Sequence, residues 1–144
     1  MQYESIMVRY GELTLKGKNK KVFIDTLSNN IRQSLNDMKE LKFEKQYDRF
    51  YIHLDMFSDI DEIFSRLSKI PGIHNFCLVK KVEKDIEKVC EASLLIMQDL
   101  ENEIVDEPLT FKVKAHRQDK NFEIISDDIN RKVFILSMSF YFKS

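Results

Sequence analysis

The spacing of the apolar residues along the first part of the chain switches repeatedly between a period of two and a period of three to four. This switching restricts the fold more than any other feature. Residues 3–10 alternate, with Ile6 and Tyr10 on one parity, which predicts a strand. From about residue 20 to 38, apolar residues recur every three or four positions. This spacing predicts an amphipathic helix, for which Asn19 is the expected N-cap.

The same change of period occurs a second time. Two strands are predicted over residues 41–47 and 49–55, and Asp48 between them indicates a tight hairpin. Residues 58–61 resemble a capping box and begin a second amphipathic helix. A final strand is predicted over residues 73–79.

The resulting order is strand, helix, strand, strand, helix, strand. This is the ferredoxin-like βαββαβ arrangement, and it closes near residue 80. The chain contains 3 glycines and 2 prolines, which disfavours an all-β sandwich and a glycine-rich phosphate loop. We therefore predict an α+β protein with a ferredoxin-like domain over residues 1–80.

A second, smaller α/β module is predicted over residues 81–133. It begins with a long acidic helix near 84–103, which places Cys90, Leu100 and Ile104 on its inner face, and continues with a strand over 109–116. A short helix is expected near residue 126. Residues 134–144 form a divergent apolar tail that has neither a helical stripe nor a strand alternation.

Chemistry-bearing side chains are sparse. Cys77 and Cys90 are the only cysteines, and both are expected to be buried and inert. The three histidines have no partner at metal-ligand spacing, so we predict no metal site. No catalytic motif, membrane span or secretory signal is evident, and the chain is expected to be cytoplasmic and inactive alone.

Two clusters of cations stand out against a net charge of −1, which excludes a wholly basic nucleic-acid binder. The first lies in a predicted loop over residues 9–21, and the second extends from the strand at 109–116. A phosphate-rich partner is one interpretation of both clusters. A solvated basic loop and a lysine-protected edge strand are the alternatives. The candidate contacts to such a partner are Arg9, Lys16, Lys18, Lys20, Lys112, Lys114, Arg117 and Lys120.

Three segments carry a resemblance to a known family. Residues 6–19 (IMVRYGELTLKGKN) resemble the opening signature of the bacterial tRNA 4-thiouridine synthases, which are tRNA uracil 4-sulfurtransferases tied to thiamine biosynthesis through thiazole synthesis. Residues 110–122 are similar to the central motif of that family's THUMP domain, and residues 128–131 resemble the helix that follows. The resemblance implies an N-terminal ferredoxin-like domain and a partial THUMP domain that together bind tRNA.

The resemblance also implies components that these 144 residues lack. In the family, a PP-loop domain uses ATP to adenylate a uridine, and a persulfide that comes from a cysteine desulfurase supplies the sulfur. That domain's Ser-Gly-Gly-x-Asp-Ser motif is absent, so we predict no cofactor for this chain. His116 stands where relatives usually carry lysine, and residues 134–144 match nothing in the family.

The sequence therefore predicts the tRNA-binding portion of a 4-thiouridine synthase, ended early by a stop codon, a frameshift or a chosen boundary. Two alternatives remain open at this point. One is a truncated product without a function. The other is a regulatory ferredoxin-like domain for a small ligand, since this fold serves many functions.

Overall fold

A computed structural model describes residues 4–11, 17–103, 106 and 112–114. The chain divides into two compact units, residues 3–80 and 81–144. The elements are β1 (Ser5–Tyr10), α1 (Gly17–Ser34), β2 (Lys42–Lys45), β3 (Arg49–His53), α2 (Ile60–Leu67), β4 (Ile73–Val79) and α3 (Ile86–Glu103). The protein is α+β, and the predicted βαββαβ order of the first unit is confirmed.

The four strands of the first unit form one antiparallel sheet in the order β2-β3-β1-β4. β1 lies in the interior of the sheet, where Val8 faces Phe50 of β3 on one side and Phe76 of β4 on the other. α1 and α2 both lie on one face of this sheet. Alternate residues of each strand point to the same face, so the apolar residues are gathered on one face, which the two helices cover.

The core of this unit consists of the periodic apolar residues from which the strands and helices were predicted. Its fully buried side chains include Val8 and Phe50 from the sheet, Ile31 from α1, and Ile63 from α2. Burying each of these side chains contributes roughly 1.5–3 kcal/mol to folding. The inner parity predicted for β1 is therefore confirmed.

The boundaries of the helices differ from the sequence prediction. α1 begins at Gly17, so Asn19 lies inside the first turn and is not the N-cap. In α2 the cap is Asp59, whose Oδ1 accepts a hydrogen bond from the Glu62 backbone N–H at 3.1 Å. Ser58 instead donates to Asp55, at 3.2 Å.

Two glycines hold the end of β1 against the turn before β4. The Gly11 N–H donates to the Gly72 carbonyl at 2.8 Å, and a Cβ on Gly11 would lie 2.9 Å from that same oxygen. Gly72 has φ of +94°, a conformation that other residues adopt only with strain. Glycine is therefore required on both sides of this contact.

Some packing predictions were wrong. Cys77 is exposed, because it lies on the face of β4 opposite the helices, where it is paired with Met7. In α3, Cys90 is half-buried and Leu100 is 37% exposed. Ile104 lies outside the described residues.

Little of the predicted THUMP-like module can be compared with the structure. Of the strand predicted over 109–116, only residues 112–114 are described, and they have no regular secondary structure. The helix near residue 126 and the tail at 134–144 lie outside the described residues, and the domain boundaries at 81–133 and 134–144 stay predictions.

Candidate nucleic-acid interface

The first turn of α1 is basic. It contains Lys18 and Lys20, is followed directly by Lys21, and has no acidic residue. Residues 17–21 of the predicted 9–21 loop are therefore helical, since α1 begins at Gly17. The N-terminus of a helix carries a positive partial charge because of the helix dipole. This partial charge adds to the charges of the lysines and increases the positive potential at this end of α1.

The β2–β3 hairpin ends beside this turn. The Gln46 N–H donates to the Arg49 carbonyl at 2.9 Å, which leaves Tyr47 and Asp48 as a two-residue loop. The Tyr47 side chain is 76% exposed, and the Lys20 Nζ lies 3.9 Å from the centroid of its ring. This is a cation–π contact between the start of α1 and the tip of the hairpin.

A groove of about 300 Å³ lies between these two elements. Its lining includes Lys20 and Lys21 from α1, and Lys45 and Tyr47 from the hairpin. Lys45 reaches across to α1, where its Nζ lies 2.6 Å from the Asp25 Oδ1. The hydrogen bond from Lys45 lowers the pKa of Asp25, so the carboxylate stays charged and keeps the lysine at the groove.

Tyr10 holds the tip of the hairpin from the core side. Its phenol lies within hydrogen-bond distance of the Gln46 and Arg49 carbonyls, at 3.1 and 3.0 Å, so its single proton is shared between them. Burial raises the pKa of Tyr10 to about 12, and the phenol therefore remains a donor at any physiological pH. The position of Tyr47 is consequently fixed by the fold.

Further cations lie at the same end of the sheet, on the face without helices. Arg9 faces Arg49 across the β1–β3 ladder and Asn75 across the β1–β4 ladder. The Arg49 Nη1 also lies 3.5 Å from the Met7 Sδ, and its Nε lies 3.9 Å from Asp48. Because Arg9 is exposed, its guanidinium is available to an anion.

Three of the eight sequence-predicted RNA contacts lie at one end of the first unit, with Lys18 and Lys20 in α1 and Arg9 on the sheet face without helices. Lys112 and Lys114 are exposed and belong to the second unit. Lys16, Arg117 and Lys120 lie outside the described residues.

Sequence reasoning missed Lys45, Tyr47 and Arg49. The signal that could have located them is an aromatic residue in a hairpin turn that has a cation two residues away on either side. Within the part of the chain that the structure describes, no three His, Cys, Asp or Glu side chains form a cluster that could hold a metal ion. The described helices also include none that is both long and apolar enough to cross a membrane.

Comparison with known proteins identifies the family. The sequence model of the ThiI ferredoxin-like domain matches residues 5–77. The chain belongs to the ThiI ferredoxin-like domain family. The family match covers the whole βαββαβ unit up to Cys77, and with it the α1 and hairpin residues that line the groove.

Relatives of known name extend the match beyond this domain. A probable tRNA sulfurtransferase from Limosilactobacillus reuteri is 42% identical over 133 residues, which is 92% of this chain and 32% of the relative. The probable tRNA sulfurtransferase of Staphylococcus aureus strain Newman is also 42% identical, over 92% of this chain and 31% of its own length. The chain is homologous to the N-terminal part of these proteins and spans about a third of their length.

Two solved structures resemble the fold. A 4-thiouridine synthetase in complex with RNA and bound ATP has a TM-score of 0.79 and 31% identity, over 95% of this chain and 33% of that one. The protein PH1313 from Pyrococcus horikoshii has a TM-score of 0.76 over 94% of this chain and 44% of its own, and at 24% identity it supports the fold alone.

Proposed function

We propose that this chain is the tRNA-binding portion of a tRNA 4-thiouridine synthase. The observation that carries the proposal is the concentration of cations at one end of the first unit, although the chain as a whole has a net charge of −1. Lys20 lies over the exposed ring of Tyr47, Lys21 and Lys45 line the same groove, and Arg9 lies opposite Arg49 on the face without helices. This combination suits a nucleic-acid backbone that has accessible bases.

The contacts would be made mainly to phosphates and sugars. Such contacts recognise the shape of folded RNA more than its base sequence. The remaining proposed contacts are Lys16, and Lys112, Lys114, Arg117 and Lys120 from the second unit. The RNA complex of the similar 4-thiouridine synthetase supports RNA as the partner.

The chemistry of sulfur transfer is proposed to lie outside these 144 residues. The chain carries no phosphate-cradling loop, so ATP, the PP-loop domain and a cysteine desulfurase would act elsewhere in a complete enzyme. The role of this chain would be to hold tRNA while a uridine is presented for thiolation. The names of the relatives, which are probable tRNA sulfurtransferases, support this division.

The test is a comparison of two polyanions. The purified chain should bind tRNA more tightly than a DNA duplex of equal phosphate number, because the DNA lacks 2′-hydroxyls and the folded shape of tRNA. Fluorescence anisotropy at fixed salt would measure both affinities. Equal affinity for the two, or no binding to tRNA at low salt, would contradict the proposal.

A further inference from the structure

We infer that the groove between α1 and the β2–β3 hairpin binds one unpaired nucleotide of an RNA strand, with the base stacked on Tyr47. The inference rests on the proposed RNA-binding function and goes beyond it, because it states which RNA feature this surface takes. The residues that carry it are Tyr47 for the base, and Lys20, Lys21 and Lys45 for the adjoining phosphates.

The first support is the state of Tyr47. Its side chain is 76% exposed, so it contributes little to the core, yet its position is defined by the closed hairpin turn and by the Lys20 ammonium 3.9 Å from its ring. An exposed aromatic ring held in a fixed position beside cations is the arrangement with which proteins stack single-stranded bases. The Lys20 ammonium covers one face of the ring, so the base would stack on the opposite face, and a phosphate on that nucleotide could pair with the ammonium.

The second support is the size and charge of the groove. At about 300 Å³ it is at the lower end of the range for small-molecule sites, which suits one nucleotide. The bases of a duplex are stacked on each other and cannot offer a free face to a side chain. Among the described residues that line the groove, Asp25 is the one carboxylate against three lysines, so their formal charges leave a positive balance.

The experiment compares two changes at one position. The full chain would be titrated with a fluorescent five-nucleotide oligoadenylate and with a blunt-ended RNA duplex. Tyr47→Leu should weaken oligoadenylate binding by roughly 5- to 100-fold, since it removes a base stack, and should leave duplex binding unchanged. Tyr47→Phe should retain wild-type affinity because it keeps the ring.

Phe57→Leu is the matched control, because Phe57 is 82% exposed and lies between β3 and α2, outside the groove. Wild-type affinity of Tyr47→Leu for oligoadenylate would overturn the inference, as would an equal loss on the duplex. Competition by free AMP at the same concentration as the oligonucleotide would also overturn it, in favour of a mononucleotide site. If tRNA and duplex bind and the oligonucleotide does not, this inference fails alone, whereas failure of all RNA binding removes the proposed function as well.

Discussion

Arg9 lies directly opposite Arg49 in the antiparallel ladder between β1 and β3. Like charges in this arrangement destabilise a sheet, and an anion bound between them would remove the repulsion. We expect Arg9→Gln to raise the free energy of unfolding by roughly 0.2–1 kcal/mol at low salt, and to weaken tRNA binding.

Urea unfolding and tRNA titration of the same preparation would measure both effects. Lys42→Gln is the control, because Lys42 is exposed at the start of β2 and faces His53 instead of a second arginine. A loss of stability in Arg9→Gln would show that the two guanidinium groups do not repel each other.

Arg66 of α2 holds the chain segment that follows α1. Its Nη2 lies 3.0 Å from the Asp37 Oδ2, and its Nη1 donates to the Ser34 carbonyl at 2.9 Å. The hydrogen bond from Arg66 lowers the pKa of Asp37 in the folded protein. The stabilisation is therefore present above the pKa of the unfolded carboxyl and is lost as the pH falls through the lowered folded value.

We expect Asp37→Asn to lower the urea midpoint at about pH 7, and we expect this deficit to shrink as the pH falls through the lowered folded pKa of Asp37. Glu83→Gln, an exposed change outside the first unit, should leave the midpoint at neutral pH unchanged. A deficit of Asp37→Asn that stays the same as the pH is lowered would mean that the effect is one of packing and not of charge.

The contact between Gly11 and Gly72 leaves no room for a side chain. A Cβ on Gly11 would lie 2.9 Å from a backbone oxygen, which can move only if the turn before β4 moves. We expect Gly11→Ala to destabilise the first unit by roughly 1–3 kcal/mol. Thermal unfolding followed by circular dichroism would measure this loss, and Asn29→Ala on the exposed face of α1 is the control. Unchanged stability of Gly11→Ala would show that the turn adapts freely.

The sequence predicted the features that depend on local periodicity, namely the positions of the strands and the residues that face the core. β4 has the predicted bounds, Ile73–Val79, and the inner parity of β1 is as expected, because a buried face forces a period of two. Asn19 was misassigned as a cap because a capping residue acts only at the actual start of the helix, which backbone geometry sets two residues earlier, at Gly17.

The site was predicted only in part, for a physical reason. Arg9 and Lys20 lie within a recognisable basic segment, whereas Lys45 and Tyr47 come near them only when the hairpin folds against α1. Contacts between residues more than twenty positions apart depend on sheet order and register, which composition does not reveal. Cys77 was misplaced for a similar reason, since an apolar run does not show which residues of an edge strand are left uncovered.

The most direct test of the account is the salt dependence of tRNA binding by the full chain. Each phosphate contact contributes about 0.7–0.9 to the magnitude of the log–log slope. The double variant Lys20→Gln/Lys21→Gln should therefore flatten the slope, whereas Lys39→Gln/Lys42→Gln, which removes the same charge from exposed positions outside the groove, should not. If the two double variants have the same slope, the cations of this surface do not contact RNA, and the central claim is wrong.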